Sequence, residues 1–302
     1  MEELTMTYEQ AVAFLKKYME ENGRKQVEVA AELGVSGGLV SSFLAGSYKT
    51  PHAIIPKVQE LAKIHEKKAV TPKEPDFVET SVSRTVTNAI AYAHLRGTVA
   101  VVYGDAGVGK TFAVREYMKR NSLALGITIS PTYASVTGVN ELIAEQLGVR
   151  ERGDRKITRE IVAKLRNSGR VLVIDEAQHL TVRALNHLRC VSDESGIGIA
   201  LVGNEEIYSK LRGSGKADFA QLFSRVGMRK QVLTNNLTAE DIRNIFGPYG
   251  LDEGALGLLS GIAHTNYGLR GAVNVFVNTA AVYGKIDKAG IVKVMRDMNI
   301  GA

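Results

Sequence analysis

One glycine-rich segment constrains the fold of this 302-residue chain more than any other feature. It follows residues 99–103, an apolar run typical of a strand buried on both faces, and precedes residues 112–120, which have apolar residues at helical spacing. Between them lie Gly104, Asp105, Ala106, Gly107, Val108, Gly109, Lys110 and Thr111. This spacing fits G-x-x-x-x-G-K-[ST], in which backbone N–H groups and a helix N-terminus surround phosphate oxygens. The segment predicts a nucleoside triphosphate site on an α/β sheet.

A second apolar run ends in acidic residues that metal-dependent hydrolysis needs. Residues 171–174 are apolar, and Asp175 and Glu176 follow directly. Parallel sheets bind their ligands at the carboxyl ends of strands, so Asp175 is expected to hold Mg²⁺ together with Thr111. Glu176 is expected to polarise the attacking water, and Lys110 to contact the β- and γ-phosphates. The pattern predicts an enzyme that hydrolyses a nucleotide.

A third apolar run, residues 199–202, ends in Gly203 and Asn204. Asn204 is expected to position water or to contact the γ-phosphate. Asparagine is also a common turn former at strand ends, so a purely structural role stays open.

The chain divides into four expected regions. Residues 82–236 form the sheet domain, with candidate strands at 99–103, 127–130, 171–174, 197–202 and 231–233. Residues 237–302 contain only helical patterns and predict a helical lid. A charged, proline-containing linker is expected at residues 66–81. Residues 1–65 predict a small all-helical domain.

The first 65 residues have the pattern of a helix-turn-helix unit. Short helices are expected at residues 26–33 and 37–45, and Gly34 permits the sharp turn between them. The exposed candidates for DNA contact are Ser36, Ser41, Ser42, Tyr48 and Lys49. The second of these helices has no Arg, Lys, Asn or Gln, the residues that read bases through paired hydrogen bonds. Sequence-specific DNA binding, weak non-specific binding and protein contact therefore all stay open.

The composition predicts a cytoplasmic protein with an anionic partner. No apolar run approaches the roughly 18 residues of a membrane span, and the acidic start at Glu2 and Glu3 is unlike a secretory signal. The single cysteine, Cys190, excludes an internal disulfide. The formal net charge of +6 favours an anionic partner.

Positive charge is concentrated in two segments. Residues 150–170 contain eight Arg or Lys against three acidic residues, and residues 210–216 interleave three cations with glycine and serine. The candidates for phosphate contact are Arg152, Arg155, Lys156, Lys210 and Arg212. Runs of charge are often only solvated faces, so DNA contact and plain solvation both stay open.

A helical lid after such a sheet resembles the AAA+ ATPases. Arg270, at the start of a lid helix, resembles their sensor-2 arginine; an exposed, solvated arginine is the alternative. Residues 219–225 lie before the last strand, where AAA+ proteins carry an arginine finger that acts on the nucleotide of a neighbouring subunit. Arg225 is the expected finger, which implies a homo-oligomer. Contact of Arg225 or Arg229 with DNA or a surface carboxylate is the alternative.

The order of motifs over nearly the whole chain resembles that of the MuB family, the target-selecting ATPases of Mu-type transposing phages. Its most specific parts are the N-terminal unit, the linker at residues 74–80 and Leu222-Phe223-Ser224-Arg225. The resemblance implies ATP and Mg²⁺ as cofactors and a helical filament on double-stranded DNA with little sequence preference. It implies delivery of target DNA to a transposase, stimulation of strand transfer, and hydrolysis stimulated by DNA and transposase in the bacterial host cytoplasm. It also implies that Asn204 is sensor 1 and that Arg155 and Lys156 face DNA.

Two other functions are compatible with the sequence. A replicative helicase loader or initiator shares the AAA+ core and DNA association, but needs a helicase-binding segment that the N-terminal pattern does not indicate. A non-catalytic, nucleotide-gated repressor is disfavoured by the complete acidic pair. The sequence identifies neither the transposase nor the residues that contact adenine.

Overall fold

The computed structural model describes residues 6–70, 74–212 and 225–301. The chain divides into two compact units, Met1–Lys73 and Glu74–Ala302. The described part of the first unit contains α1 (Tyr8–Asn22), α2 (Gln26–Glu32), α3 (Gly37–Leu44) and α4 (Ile55–Val70). Helix α4 continues past residue 65, so the expected linker begins inside a helix. Between residue 65 and Pro72 the sequence contains no proline or glycine that would end the helix.

The first unit has its own apolar core. Its buried side chains include Leu15, Val29, Val40, Phe43 and Val58, one or more from each helix. The axes of α2 and α3 bend by 108° at the short break between them, where a glycine has φ +62°. The angle lies in the range of helix-turn-helix pairs, which supports that interpretation without testing its function.

No single helix of the described ranges is long and apolar enough to span a membrane. The bent pair α2 and α3 meets the criteria of length and composition when the two helices are taken together.

The second unit is built on a five-stranded parallel sheet. Its strands are β1 (Val99–Gly104), β2 (Ala124–Thr128), β3 (Val171–Asp175), β4 (Gly198–Val202) and β5 (Val226–Val232). The order across the sheet is β2-β3-β4-β1-β5. One face carries α5 (Ser81–Arg96) and α6 (Lys110–Arg120). The other carries α7 (Val136–Leu147), α8 (Asp154–Leu165), α9 (Val182–Ser195) and α10 (Glu205–Arg212).

Strand β1 shows why the central strands are uniformly apolar. Ala100 and Val102 pack into the core that contains α5 and α6, whereas Val99 and Val101 pack into the opposite core. Since side chains alternate between faces and both faces are covered, every position must be apolar. The expected parallel α/β fold with helices on both faces is confirmed.

Two strand predictions are wrong in their boundaries. Strand β5 begins at Val226, not at residue 231, and most of its central residues are exposed or half-buried. It lies at the edge of the sheet and pairs with β1, so its sequence lacks the continuous apolar pattern of a central strand. Strand β2 runs over Ala124–Thr128 instead of 127–130.

The C-terminal region is a helical lid, as expected. It contains α11 (Ala239–Phe246), α12 (Glu253–Ala263), α13 (Gly268–Tyr283) and α14 (Lys288–Asp297). Thr238 caps α11 by accepting a hydrogen bond from the backbone of Asp241. Phe246 and Phe276 are fully buried in the same core as α5 and α6. This shared core joins the lid to the sheet domain.

Candidate active site

The glycine-rich segment lies between β1 and α6, at the carboxyl edge of the sheet. A Cβ at Gly104 would lie 1.9 Å from the carbonyl oxygen of Val232 on β5, so only glycine fits there. Gly107 and Gly109 have φ of +73° and +102°, which glycine adopts without strain. Helix α6 begins at Lys110, so a helix N-terminus with its partial positive charge lies beside the loop.

Lys110 is held at the loop by two backbone carbonyls. Its Nζ donates to the carbonyl oxygens of Gly104 at 3.0 Å and Asp105 at 2.6 Å. Burial lowers the pKa of Lys110, and the charges of Glu176 and Asp175 act in the opposite direction. The ammonium therefore lies near both predicted acidic residues. Phosphate oxygens could replace its carbonyl partners with stronger, charge-assisted hydrogen bonds.

Asp175 ends β3 and is only 3% exposed. Burial raises the pKa of Asp175, whereas hydrogen bonds from the Thr111 hydroxyl and from the backbone of Glu176 lower it. The structure thus brings together the two predicted Mg²⁺ ligands, one at a strand end and one in the first turn of α6. A carboxylate and a hydroxyl fit Mg²⁺, which binds through one or two protein oxygens together with substrate phosphates.

Glu176 begins the tight turn that follows β3. Its backbone has φ +55° and ψ +35°, a left-handed conformation that is uncommon for a residue with a side chain. Its carboxylate accepts a hydrogen bond from Nε2 of Gln178, and both residues line the cavity described below. Such backbone strain concentrates at functional sites.

Gln178 is a functional candidate that the motifs do not predict. It is 6% exposed, and its Oε1 accepts a hydrogen bond from the backbone N–H of Asn204 at 3.3 Å. The only sequence signal is a polar residue two positions after Glu176, inside a turn that brings it back toward the strand end. Asn204 itself caps α10, because its Oδ1 accepts from the backbone of Glu206 at 2.9 Å. It also lines the cavity, so neither interpretation of Asn204 is excluded.

The glycine-rich segment of residues 104–111 (the P-loop), the turn of residues 176–179 (the acidic turn) and the lid line one cavity of about 450 Å³. Charged and polar lining residues include Lys110, Thr111, Glu176, Asn204 and Arg270. Apolar lining residues include Val78, Ile245, Leu269 and Val273. This mixture suits a ligand with a charged part and an apolar ring. Ile245 and Val273 are not predicted by any motif, since a helical pattern does not show which residue faces a distant loop.

The lid contacts the P-loop directly. The backbone N–H of Arg270 donates to the carbonyl oxygen of Gly107 at 2.9 Å. Gly268, with φ +61°, approaches so closely that a Cβ there would lie 2.9 Å from the carbonyl oxygen of Ala106. The predicted sensor-2 residue is therefore at the cavity, at the start of α13.

A buried carboxylate joins the sheet domain to the lid. Asp241, 5% exposed, accepts hydrogen bonds from the backbone of Ser81 at 3.0 Å and of Thr238 at 2.8 Å. The Asp241 carboxylate thus accepts hydrogen bonds from backbone N–H groups at the N-termini of both α5 and α11. This contact fixes the start of α5, next to the segment of residues 74–80 that lines the cavity.

Arg225 lies on another part of the surface. Its Nε is 3.6 Å from Oδ1 of Asp193 on α9, and its side chain is 60% exposed. The Thr98 hydroxyl donates to its backbone carbonyl at 3.2 Å. Arg225 is not among the described residues that line the cavity. Contact with a surface carboxylate, one of the open alternatives, is therefore present in the single chain; residues 219–224 of the predicted finger segment lie outside the described residues.

The basic candidates separate into two groups. Arg152, Arg155 and Lys156 are exposed at and before the first turn of α8, and Arg212 is exposed at the end of α10. Lys210 is half-buried instead, and its ammonium donates to the backbone carbonyls of Gln178 and Leu180. DNA contact by Lys210 does not fit this placement, because its donors point into the turn after β3.

Known proteins are similar to this chain in sequence or in fold. Residues 94–211 match the AAA domain family. The Mu-like prophage FluMu DNA transposition protein B of Haemophilus influenzae is 35% identical, over 85% of this chain and 91% of the relative. The ATP-dependent target DNA activator B of Escherichia phage Mu is 34% identical, over 80% of this chain and 79% of the relative.

Among solved structures, domain III of the Thermotoga maritima replication initiation protein DnaA has a TM-score of 0.50. The match covers 73% of this chain and 93% of that domain, at 18% sequence identity. A likeness at this identity shows the fold alone.

Proposed function

The chain belongs to the family of the Mu-type DNA transposition proteins B, also named target DNA activators B, and on this premise we propose that it polymerises on DNA with ATP and delivers target DNA to a transposase. Its general function is that of an ATP-dependent AAA transposition protein. The observation that carries the proposal is the cavity that the P-loop, the acidic turn and the lid line together. A nucleotide bound there contacts both the sheet domain and the lid, so its presence can change the surface that a neighbouring subunit meets.

The chain's own residues support Mg²⁺-dependent ATP hydrolysis. Lys110 would contact the β- and γ-phosphates, and Thr111 and Asp175 would hold Mg²⁺, which would neutralise phosphate charge. Glu176 orients the attacking water from the turn after β3. The apolar lining residues Val78, Ile245, Leu269 and Val273 accommodate the adenine ring.

Double-stranded DNA is the anionic partner of the proposal. Arg152, Arg155 and Lys156 place positive charge at the exposed start of α8. Cations that contact phosphate bind DNA with little sequence preference, because phosphates carry no base information. Stimulation of hydrolysis by DNA and by the transposase belongs to the same proposal.

A second copy of the chain completes the catalytic site. Arg225 does not reach the cavity of its own chain, yet it is exposed and close to an edge of the sheet. An arginine supplied by a neighbour stabilises charge on the transferring phosphoryl group. If ATP favours this contact and the resulting filament favours DNA, ATP tightens DNA binding by linkage. The filament then selects target DNA, and contact with the transposase stimulates strand transfer and filament release.

The initiator alternative has no separate observation in its favour. The likeness to domain III of DnaA concerns the fold, which many AAA proteins with different functions share.

Electron microscopy with ATP and a random-sequence duplex tests the proposal. We expect regular filaments with the wild-type chain and none with Lys110→Ala, because that variant lacks the cation that holds the phosphates. Lys119→Ala is the matched control, since Lys119 is exposed on the same helix. Discrete rings or monomers with ATP and DNA would contradict the proposed filament.

A further inference from the structure

The turn after β3 contains a side chain that joins two parts of the proposed catalytic site. Gln178 contacts the Glu176 carboxylate through Nε2 and the backbone of Asn204 through Oε1. We propose that Gln178 is a positioning residue for ATP hydrolysis, which holds Glu176 in the orientation that activates water and ties it to the end of β4. This inference rests on the proposed function, in which Glu176 acts on the attacking water.

The hydrogen-bonding chemistry fixes the direction of the Gln178 amide. A carboxylate only accepts hydrogen bonds, so the NH₂ group must face Glu176. A backbone N–H only donates, so the amide oxygen must face Asn204. Because both ends have a partner of the right kind and the side chain is 6% exposed, rotation of the amide by 180° would lose both bonds. Gln178 therefore presents one orientation to Glu176.

The position of Gln178 is supported from a neighbouring helix. Lys210 on α10 donates to the carbonyl oxygen of Gln178 and, at 3.3 Å, to that of Leu180. Lys210 is half-buried, so its displacement would cost two hydrogen bonds of an ammonium that water reaches only in part. Helix α10 begins one residue after Asn204, so both contacts of the turn come from the same β4–α10 segment.

Gly203 shows how closely this segment fits the amide. A Cβ at Gly203 would lie 2.5 Å from Oε1 of Gln178. The φ of Gly203 is not positive, so alanine can adopt its backbone conformation. The added Cβ would also lie 3.2 Å from the backbone nitrogen of Gln178 and 3.2 Å from Ile207, so the turn must shift slightly around it. Gly203→Ala therefore disturbs the amide without removing it.

The orientation of the Glu176 carboxylate affects ATP hydrolysis more than it affects ATP binding. A free glutamate samples several rotamers, and only some place the carboxylate beside the attacking water. Loss of Gln178 should therefore lower kcat and leave ATP affinity nearly unchanged, because the phosphates are bound by the P-loop. We expect Gln178→Ala to reduce kcat roughly tenfold to a hundredfold, a part of the usual effect of a general base.

The experiment measures steady-state phosphate release with duplex DNA and the affinity for a fluorescent ATP analogue, using the full chain. Gln178→Ala and Gly203→Ala are expected to show the same split, a large loss in kcat with less than about threefold change in affinity. Gln146→Ala is the matched control, since Gln146 is an exposed glutamine on α7 of the same unit. Gly203→Ala also keeps the test valid if Gln178→Ala fails to fold.

A double-mutant comparison separates positioning from a general structural role. In single-turnover assays, Gln178→Ala should add no further loss to Glu176→Gln, because the group it positions is already absent. An additional loss, or faster hydrolysis in Gln178→Ala alone, would overturn the proposal. Normal hydrolysis in both Gln178→Ala and Gly203→Ala, with Glu176→Gln inactive, would overturn the positioning role alone. Normal hydrolysis in Glu176→Gln would instead overturn the assignment of Glu176 in the proposed function.

Discussion

Two regions of the second unit differ in how firmly the chain holds their functional side chains. One is the nucleotide edge, the carboxyl end of the sheet beside the cavity. The other is formed by the candidate partner surfaces, at the exposed start of α8 and around Arg225. At the nucleotide edge, Lys110, Asp175 and Gln178 are at least partly buried, and each makes hydrogen bonds within the chain. On the partner surfaces, Arg155 and Lys156 are exposed, and Arg225 makes one ion pair at 3.6 Å. In the proposed function, the chain builds most of its catalytic site alone, whereas a partner would complete the contacts to DNA and to other subunits.

The Arg225 ion pair illustrates the second situation. An exposed ion pair contributes roughly 0–1 kcal/mol, because water solvates both charges well. Arg225 can therefore leave Asp193 for a neighbouring site at little cost. Lys110, by contrast, is half-buried and donates to two carbonyls of its own loop, so it is placed to act within its own chain.

Loss of Arg225 is the largest expected effect and the sharpest test of this difference. Arg225→Ala should lower DNA-stimulated hydrolysis on the order of a thousandfold, while ATP binding to the isolated subunit stays within about twofold. Arg183→Ala, an exposed arginine on α9, is the matched control. Phosphate release and binding of a fluorescent ATP analogue measure the two effects.

Mixing variants tests whether Arg225 acts between subunits. Arg225→Ala and Lys110→Ala should regain part of the activity together, because some interfaces then combine an intact finger with an intact P-loop. If co-assembly is demonstrated and no ratio restores hydrolysis, the trans role is wrong.

Glu176→Gln should have the next largest effect. The substitution keeps the shape of the side chain but removes the charge that orients water, so hydrolysis should fall about a hundredfold or more while ATP still binds. Filaments on DNA should then persist, as followed by electron microscopy over time. Glu145→Gln, at an exposed position on α7, should behave as wild type. Rapid filament loss in Glu176→Gln would show that hydrolysis does not time disassembly.

Neutralising the exposed start of α8 should have a moderate effect. Arg155→Ala with Lys156→Ala should weaken ATP-dependent binding similarly for unrelated duplexes and reduce the slope of log affinity against log salt by up to ~1.8. Fluorescence anisotropy at several salt concentrations measures both. An unchanged slope would place the DNA surface elsewhere, and a loss confined to one sequence would contradict phosphate contact.

Removal of the first unit should have the smallest effect. Residues 1–73 form a compact unit with its own core, and every described residue that lines the nucleotide cavity belongs to the second unit. The truncated chain should keep ATP-dependent DNA binding within a few-fold in the same anisotropy assay. Complete loss of binding would identify the helix-turn-helix unit as the main DNA reader.

The sequence by itself determined the parts of this protein that depend on local patterns. The continuous apolar runs around β1 and β3 require burial on both faces, which a parallel sheet between helices provides. The glycines of the P-loop and the acids after residue 174 predict the cavity and the Thr111–Asp175 pair, because strand ends of a parallel sheet meet at one edge. The helical patterns of residues 237–302 predict the lid.

Only the tertiary structure decided which distant residues meet at that edge. Gln178 and Asn204 are 26 positions apart, and Gln178 and Lys210 are 32 apart; nothing in their spacing distinguishes them from surface residues. Lys210 has the sequence context of a DNA contact, yet the packing of α10 directs its ammonium into the turn after β3. The start of strand β5 escapes local prediction because an edge strand has no continuous apolar pattern. Local sequence patterns determine where helices and strands form and end. The contacts between these elements depend on how segments far apart in the sequence pack together.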